Sequence, residues 1–581
     1  MGIRILASKE VCFGRITYNS LVDIVNVKII ILRSGIIVVS RCLLITTGHE
    51  FQGVRGFLDR ENNVCIALVA FVSFYSSCAF KFEKGKRSNV VLIVFDDLRP
   101  TLGRFGDRLA FTPNLDAFIS RSNYFTRAYS QQALCAPSRN SFLTSRRPDT
   151  LHLYDFYSYW RAFVGNFTTL PQYFKEHGYH TYAIGKIFHP GVSSNYNDDY
   201  PHSWSASPYH PSTEIYMNTA VCPDAYGVLK NNLLCPVHVR TQPFQTLPDI
   251  QSTAEAIRFI KSYRNGTANP FFLALGFHKP HINFRFPIHY MKRFPLENFY
   301  NYTPDTFRPN EMPKVAWNPY SDIRSRDDFC NLNISFPYGP IPALLRAQIR
   351  QAYYASVSYV DNLFGKFIKH VDSENTIIVV TSDHGWSLGE HAEWAKYSNF
   401  EVAVRVPLIV QSPEFRASYH VGKSIKDIIE LVDLFPSLVD LAHLPKVPKC
   451  IRNVPMFKQL LCTEGKSFYK LLQGNDTKKH YIALSQYPRP GVVPTKHPNS
   501  DKPKLRNIKI MGYSLRTNYY RYTIWVRFHP NNFSRDWSTV YGEEMYSHRD
   551  DVGEEINLVN LPQFNKVRGR LKNKLIAAFT K

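Results

Sequence analysis

The chain reads as an α/β domain with a central, mostly parallel sheet, followed by a smaller C-terminal α+β domain on an antiparallel sheet. Three observations predict this. Residues 89–95 (NVVLIVF), 271–277 (FFLALGF) and 376–381 (TIIVVT) are continuous, mostly apolar runs, the first and third rich in β-branched residues, the pattern of strands buried on both faces. Helical stretches at 170–177, 342–364 and 431–441 are interspersed with them, which implies parallel strands joined by crossovers. Beyond Gln473 the pattern becomes alternating and aromatic, as in 511–516 and 520–528 (YRYTIWVRF), with a closing helix near 567–579.

Each of the three apolar runs ends in polar residues. The first ends in Asp96-Asp97, the second in His278-Lys279-Pro280-His281, the third in Ser382-Asp383-His384-Gly385. In open α/β sheets ligands gather outside the carboxyl ends of the strands, so these clusters are the candidate site. Adjacent carboxylates repel and call for a cation or a basic partner. Oxygens from two strand ends suit a hard divalent ion, calcium or magnesium, whereas His384 suits a softer one. Helix capping is the structural alternative for each Asp.

The organisation expected is an N-terminal extension at 1–63, a signal-peptide-like segment at 64–79, a main domain at 88–474 and a C-terminal domain at 478–581, with the linker near 474–479. Residues 64–75 (VCIALVAFVSFY) followed by Ser76-Ser77-Cys78-Ala79 resemble a signal h-region and cleavage site. The run is too short to span a bilayer comfortably. About sixty residues precede it, and no methionine lies between Met1 and Met217; a mis-joined upstream exon accounts for that, with a membrane anchor as the alternative. The chain has 581 residues, 44% hydrophobic, and a formal net charge of +23. That is globular composition, and the charge suits a polyanion. No zinc finger, RNA-binding signature or continuous basic block supports nucleic acid.

Ten cysteines are present. Cys12, Cys42, Cys65 and Cys78 lie in the leader, while Cys222/Cys235 and Cys450/Cys462 each flank a short loop, a spacing that suits two local disulfides in an oxidising compartment. Cys135 and Cys330 remain. Sequons at Asn166, Asn265, Asn301, Asn333, Asn475 and Asn532 fit a secretory chain.

Residues 135–146 (CAPSRNSFLTSR) contain Cys-x-Pro-Ser-Arg-x-x-x-Leu-Thr, which resembles the signature of the formylglycine-dependent sulfatases. Ser145 stands where that family usually has Gly. SQQALCAPSR, RRPDTLHLYDFYSYWR, GKIFHPG, FHKPHINFRFP, TSDHGWSLGEHAEWAKYSNF and SQYPRP together resemble the branch acting on terminal 2-O-sulfated iduronate of heparan and dermatan sulfate. The resemblance implies an alkaline-phosphatase-like fold and conversion of Cys135 to formylglycine by a formylglycine-generating enzyme during secretion. It implies Ca2+ held by Asp96, Asp97, Asp383, His384 and the modified Cys135. Arg139 and Lys186 would orient the aldehyde hydrate, and His189 would serve as a base. His278 and Lys396 would hold sulfate, with His278 as acid for the leaving oxygen. One hydrate hydroxyl would attack sulfur and the other expel sulfate, a step that a serine could not complete. Trp386 and Tyr397 are either sugar contacts or packing. A sulfated glycosaminoglycan is the implied substrate, with a lysosomal or secreted location and no stable membrane span. Competing readings are a phosphodiester or phosphonate ester hydrolase on the same scaffold, another glycan sulfatase, and a non-catalytic glycan-binding relative.

Overall fold

The computed structural model describes residues 87–580 except 225, 265–268, 301–307, 310, 417–420, 452–453 and 475–481, together with the backbone of three short strands nearer the N-terminus. Those strands, Lys28–Leu32, Gly35–Ser40 and Leu43–Ile45, pair antiparallel and belong to a unit of their own spanning Met1–Gly85. The signal-like segment at 64–79 and most of the expected linker lie outside the described residues. Lys86–Lys581 forms the second unit.

Seven strands make the central sheet: β1 (Asn89–Asp96), β2 (Asn123–Tyr129), β3 (His180–Gly185), β4 (Phe271–Pro280), β5 (Thr376–Ser382), β6 (Arg405–Gln411) and β7 (Ser424–Glu430). Their order is β7-β2-β6-β5-β1-β4-β3. All neighbours are parallel except β6, which runs against both β5 and β2. The three predicted apolar strands are β1, β4 and β5, side by side at the centre, where both faces are covered.

Strand β1 shows how the sequence sets the layers. Successive side chains alternate between faces: Val91, Ile93 and Phe95 enter one core, Val90, Leu92 and Val94 the other. Helices α3 (Pro248–Arg264) and α4 (Ala343–Ile368) supply the first core. Helices α1 (Cys135–Thr144), α2 (Leu170–Glu176) and α5 (Leu434–Leu441) supply the second. Fully burying each such aliphatic side chain contributes ~1.5–3 kcal/mol, so a two-sided strand is held from both directions. Helix α2 starts at a capping box between Thr169 and Gln172. The helix expected over 431–441 is split: Leu431–Asp433 is 3-10, and the α-helix begins at Leu434. Pro436 accounts for the position, since a residue without an N–H fits the first turn.

Four antiparallel strands follow, β8 (Ala483–Arg489), β9 (Ile510–Arg516), β10 (Tyr520–His529) and β11 (Ser534–Ser547), in sequence order. Helix α6 (Asn565–Phe579) lays Leu571, Leu575 and Phe579 on Met511, Tyr513, Leu515 and Ile524, a core of its own.

Cys222 is bonded to Cys235 and Cys450 to Cys462, while Cys330 is free and exposed. Both pairings match the sequence expectation. Peptide mapping without reductant is expected to link those pairs, and a link from any of the four to Cys330 would contradict it. Replacing either pair with serines is expected to cost on the order of 3 kcal/mol in denaturant unfolding, the chain-entropy value for loops of this length.

Candidate active site

Strands β1 and β5 are parallel and in register, with Ser382 opposite Phe95. Their polar ends therefore emerge side by side. Asp97 turns the chain away from the sheet at φ 65, a left-handed conformation that Asp tolerates better than most residues. Its N–H donates to Asp383 Oδ1 at 3.1 Å, and the Leu98 N–H donates to Ser382 Oγ at 2.9 Å.

Helix α1 delivers the next two groups. Cys135 is its first residue and Arg139 lies one turn on, on the same face. Arg139 Nε donates to Asp383 Oδ2 at 2.9 Å and Nη2 to Asp96 Oδ1 at 3.0 Å. The Ser138 hydroxyl donates to the Asp383 carbonyl. Strand β3 brings Lys186, whose Nζ lies 2.6 Å from Asp96 Oδ2. This approach needs glycine: a Cβ on Gly276 would sit 2.0 Å from the Lys186 carbonyl oxygen. Lys396 closes the ring from the loop after β5, with Nζ 2.7 Å from Asp97 Oδ1 and 3.1 Å from Cys135 Sγ. His384 Nε2 lies 3.4 Å from Cys135 Sγ and 3.4 Å from Asp97 Oδ1. Every one of these side chains is buried.

The charges balance: three carboxylates, Asp96, Asp97 and Asp383, against Arg139, Lys186 and Lys396. Burial and two like-charged neighbours push Asp97 up to about 7 against the pull of Lys396. Burial likewise lifts Asp383 to about 6, with Arg139 opposing and Asp96 adding. Burial would raise Asp96 too, but Lys186, His281, Arg139 and Lys396 hold it well below the usual carboxylate range. Burial pushes the Cys135 thiol up to about 12, with Asp96 adding and the two lysines opposing. The thiol is therefore protonated at neutral pH and a poor nucleophile.

These residues fit a hard cation. Oxygens of Asp96, Asp97 and Asp383 come within 4.8 Å of one another, as do single ligand atoms of Asp97, Cys135 and His384. Asp97 Oδ2 is buried and has no hydrogen-bond partner, a cost that a bound cation removes.

His189 lies three residues beyond Lys186, its ring 4.5 Å from Phe156. Burial and Lys186 hold it well below the ordinary histidine range, so it is neutral. His278 is placed differently from the other site residues. Its Nε2 faces Glu214 Oε1 at 3.5 Å and its Nδ1 faces Asp249 Oδ1 at 3.4 Å, ion-pair distances rather than hydrogen bonds. Burial opposes its charge, but Asp249 and Glu214 raise it to about 9. The histidine that meets Asp96 and Cys135 is His281, which sequence reasoning missed although it closes the same FHKPH segment. Trp386 is buried, with Lys396 Nζ 5.9 Å from its ring centroid. Tyr397 hydrogen-bonds Asp322.

The family profile described as Sulfatase matches residues 88–444. Iduronate 2-sulfatase of Mus musculus is 50% identical over 535 residues, spanning 86% of this chain and 96% of that one. Iduronate 2-sulfatase of Homo sapiens is 50% identical over 506 residues, 81% of this chain and 91% of that one. The chain belongs to the sulfatase family. Among solved structures, a phosphonate monoester hydrolase of Agrobacterium radiobacter superposes with TM-score 0.62 at 18% identity, covering 85% of this sulfatase and 96% of that chain. A putative sulfatase from Bacteroides thetaiotaomicron gives TM-score 0.57 at 19% identity, covering 85% and 92%. Both show the shared fold.

Ser145, the departure from the sulfatase signature, ends helix α1 at φ 54, where glycine is the unstrained residue. Its buried hydroxyl bonds the Val432 carbonyl at 2.5 Å and Thr463 Oγ1 at 2.7 Å. Those bonds offset the strain. Ser145→Ala keeps the strain and loses both bonds, for an expected loss of ~1–3 kcal/mol. Ser145→Gly loses the bonds but relieves the backbone, and is expected to unfold nearer the wild-type midpoint. An alanine variant as stable as wild type would contradict this balance.

Proposed function

We propose that this sulfatase removes the 2-O-sulfate from terminal iduronate of heparan and dermatan sulfate, with Cys135 converted to formylglycine and Ca2+ at the strand ends. The substrate rests on the 50% identity to iduronate 2-sulfatases. The chemistry rests on one observation: Cys135 lies between Lys396 and His384 in a setting that keeps its thiol protonated. Such a cysteine serves poorly as a thiolate but stands where a nucleophile toward an anion should be.

Asp96, Asp97, Asp383, His384 and the modified residue 135 would hold calcium, which supplies Lewis-acid stabilisation of charge on the transferring group. The formylglycine hydrate would supply one hydroxyl to form the bond to sulfur as the sulfur–sugar oxygen bond breaks and the sugar leaves as its protonated alcohol, and a second whose deprotonation restores the aldehyde as sulfate departs. The chain's own residues do the rest. Lys186 and Lys396 offset the repulsion an anionic ester meets near three carboxylates and carry the sulfate oxygens. Arg139 holds Asp96 and Asp383 in place. Neutral His189 accepts the proton released in the second half-reaction. His281, beside Cys135, takes the substrate-facing position of its segment. His278, charged between Asp249 and Glu214, holds that segment together with Asp249, which accepts the His278 and Lys279 N–H groups. Two disulfides and the exposed sequons Asn166, Asn333 and Asn532 support a secretory, lysosomal setting. Among the described residues no helix is long and apolar enough to cross a membrane.

Mass spectrometry of the peptide containing residue 135, from secreted protein, is expected to find formylglycine, and Cys135→Ser is expected to fold without turning over substrate. Recovery only as thiol, from cells competent for the modification, would falsify the nucleophile assignment.

His278 yields a separate expectation. An unperturbed histidine titrates near ~6.5, and His278 is raised to about 9. The folded state thus binds its proton more tightly than the unfolded state, so its contribution is fully present below ~6.5 and lost as pH rises through about 9. The melting-temperature gap between wild type and His278→Gln is expected to be widest near pH 5–6 and to close by pH 9–10. A gap independent of pH would show His278 to be uncharged.

A further inference from the structure

We propose that Tyr157 and Lys504 form a subsite for the second sugar of the glycan, the one attached to the sugar that loses its sulfate; this rests on the glycan reading above. A terminal sugar held at Cys135 needs its chain to leave toward solvent. A chain of ring contacts near the site leads outward. Cys135 is 2% exposed and Lys186 3% exposed. His189 and Phe156 are half-buried, their rings 4.5 Å apart. Phe156 meets Tyr157 edge-on at 6.5 Å, and Tyr157 is 55% exposed. The ring contacts thus run from His189, three residues beyond Lys186, to an open aromatic ring.

The ring is held in place. Buried Asp155 accepts the Tyr157 N–H at 2.9 Å through Oδ1 and the Leu505 N–H at 2.9 Å through Oδ2. One carboxylate therefore fixes two segments 350 residues apart, and it sets Lys504 Nζ 5.1 Å from the Tyr157 ring centroid. Lys504 itself is exposed. An exposed cation–π contact is weak and easily exchanged for a charge-assisted bond to an anion. The aromatic face suits the C–H face of a sugar, because an amphipathic ring offers contact area at low entropic cost. The ammonium beside it suits a sulfate or carboxylate on that same sugar. The occupant is accordingly an anionic hexose or hexosamine linked to the reacting sugar, and the pair contributes to specificity rather than to the chemical step.

The test compares a methyl glycoside of 2-sulfated iduronate with the disaccharide in which that sugar is followed by a sulfated hexosamine, reading the ratio of the two kcat/KM values. Wild type is expected to favour the disaccharide. Tyr157→Ala is expected to cut that preference about tenfold, ~1.4 kcal/mol, through KM, whereas Tyr157→Phe keeps it. Lys504→Gln is expected to lower the preference for a sulfated over an unsulfated second sugar about threefold. Variants with the wild-type ratio, or equal losses on both substrates, would overturn the subsite alone. Wild type inactive on both substrates would overturn the glycan reading and the subsite with it.

Discussion

Arg139 lies inside the protein with one edge of its guanidinium on Asp383 and another on Asp96. Those carboxylates end two parallel strands, and the arginine rises from the helix that begins with Cys135. A single planar cation thus locks helix α1 against the sheet and sets Cys135 relative to the acidic floor. Its Nη1 also donates to the backbone carbonyls of Lys186 and Ile187, so the end of β3 is tied to the same group. Removing one partner of such a buried network leaves an uncompensated charge, typically costing 3–5 kcal/mol. The other site groups inherit their positions from this clamp.

The network is neutral among its side chains, and neutrality alone does not suit it to an anion. Burial raises Asp97 toward neutral pH with Asp96 and Asp383 adding, burial raises Asp383 with Asp96 adding, and Asp97 Oδ2 has no partner among the described residues. A divalent cation would answer both strains, since Asp96, Asp97 and Asp383 would hold it and it would offset their charge. Neutral His189 and charged His278 sit in opposite protonation states, the first set by burial and Lys186, the second by Asp249 and Glu214 against burial.

Much of this was legible in the sequence because it depends on local chemistry. Strands β1, β4 and β5 announce themselves as continuous apolar runs, since they are the central strands covered on both faces. Strands β2, β3, β6 and β7 carry polar or proline-interrupted patterns and were not singled out. The antiparallel direction of β6 follows from chain routing, which periodicity does not encode. Asp96, Asp97, Cys135, Arg139, Lys186, Asp383, His384 and Lys396 were all expected and meet in one cluster. The FHKPH segment was read less well. Its two histidines are chemically alike in the sequence, and the facing carboxylates Glu214 and Asp249, from distant segments, distinguish the surroundings of His278 from those of His281. Ser145 reads as a mere departure until its hydroxyl is seen to bond Val432 and Thr463.

A buried acidic cluster that requires a cation should gain stability from one even when no substrate turns over. The most direct measurement is the melting temperature of chelator-treated protein with and without added calcium, for wild type and for Asp97→Asn. Calcium is expected to raise the wild-type value by several degrees, through preferential binding to the folded state, and to raise that of Asp97→Asn much less. Wild type melting at the same temperature with and without calcium, or an equal rise in both proteins, would contradict a cation site at the ends of β1 and β5.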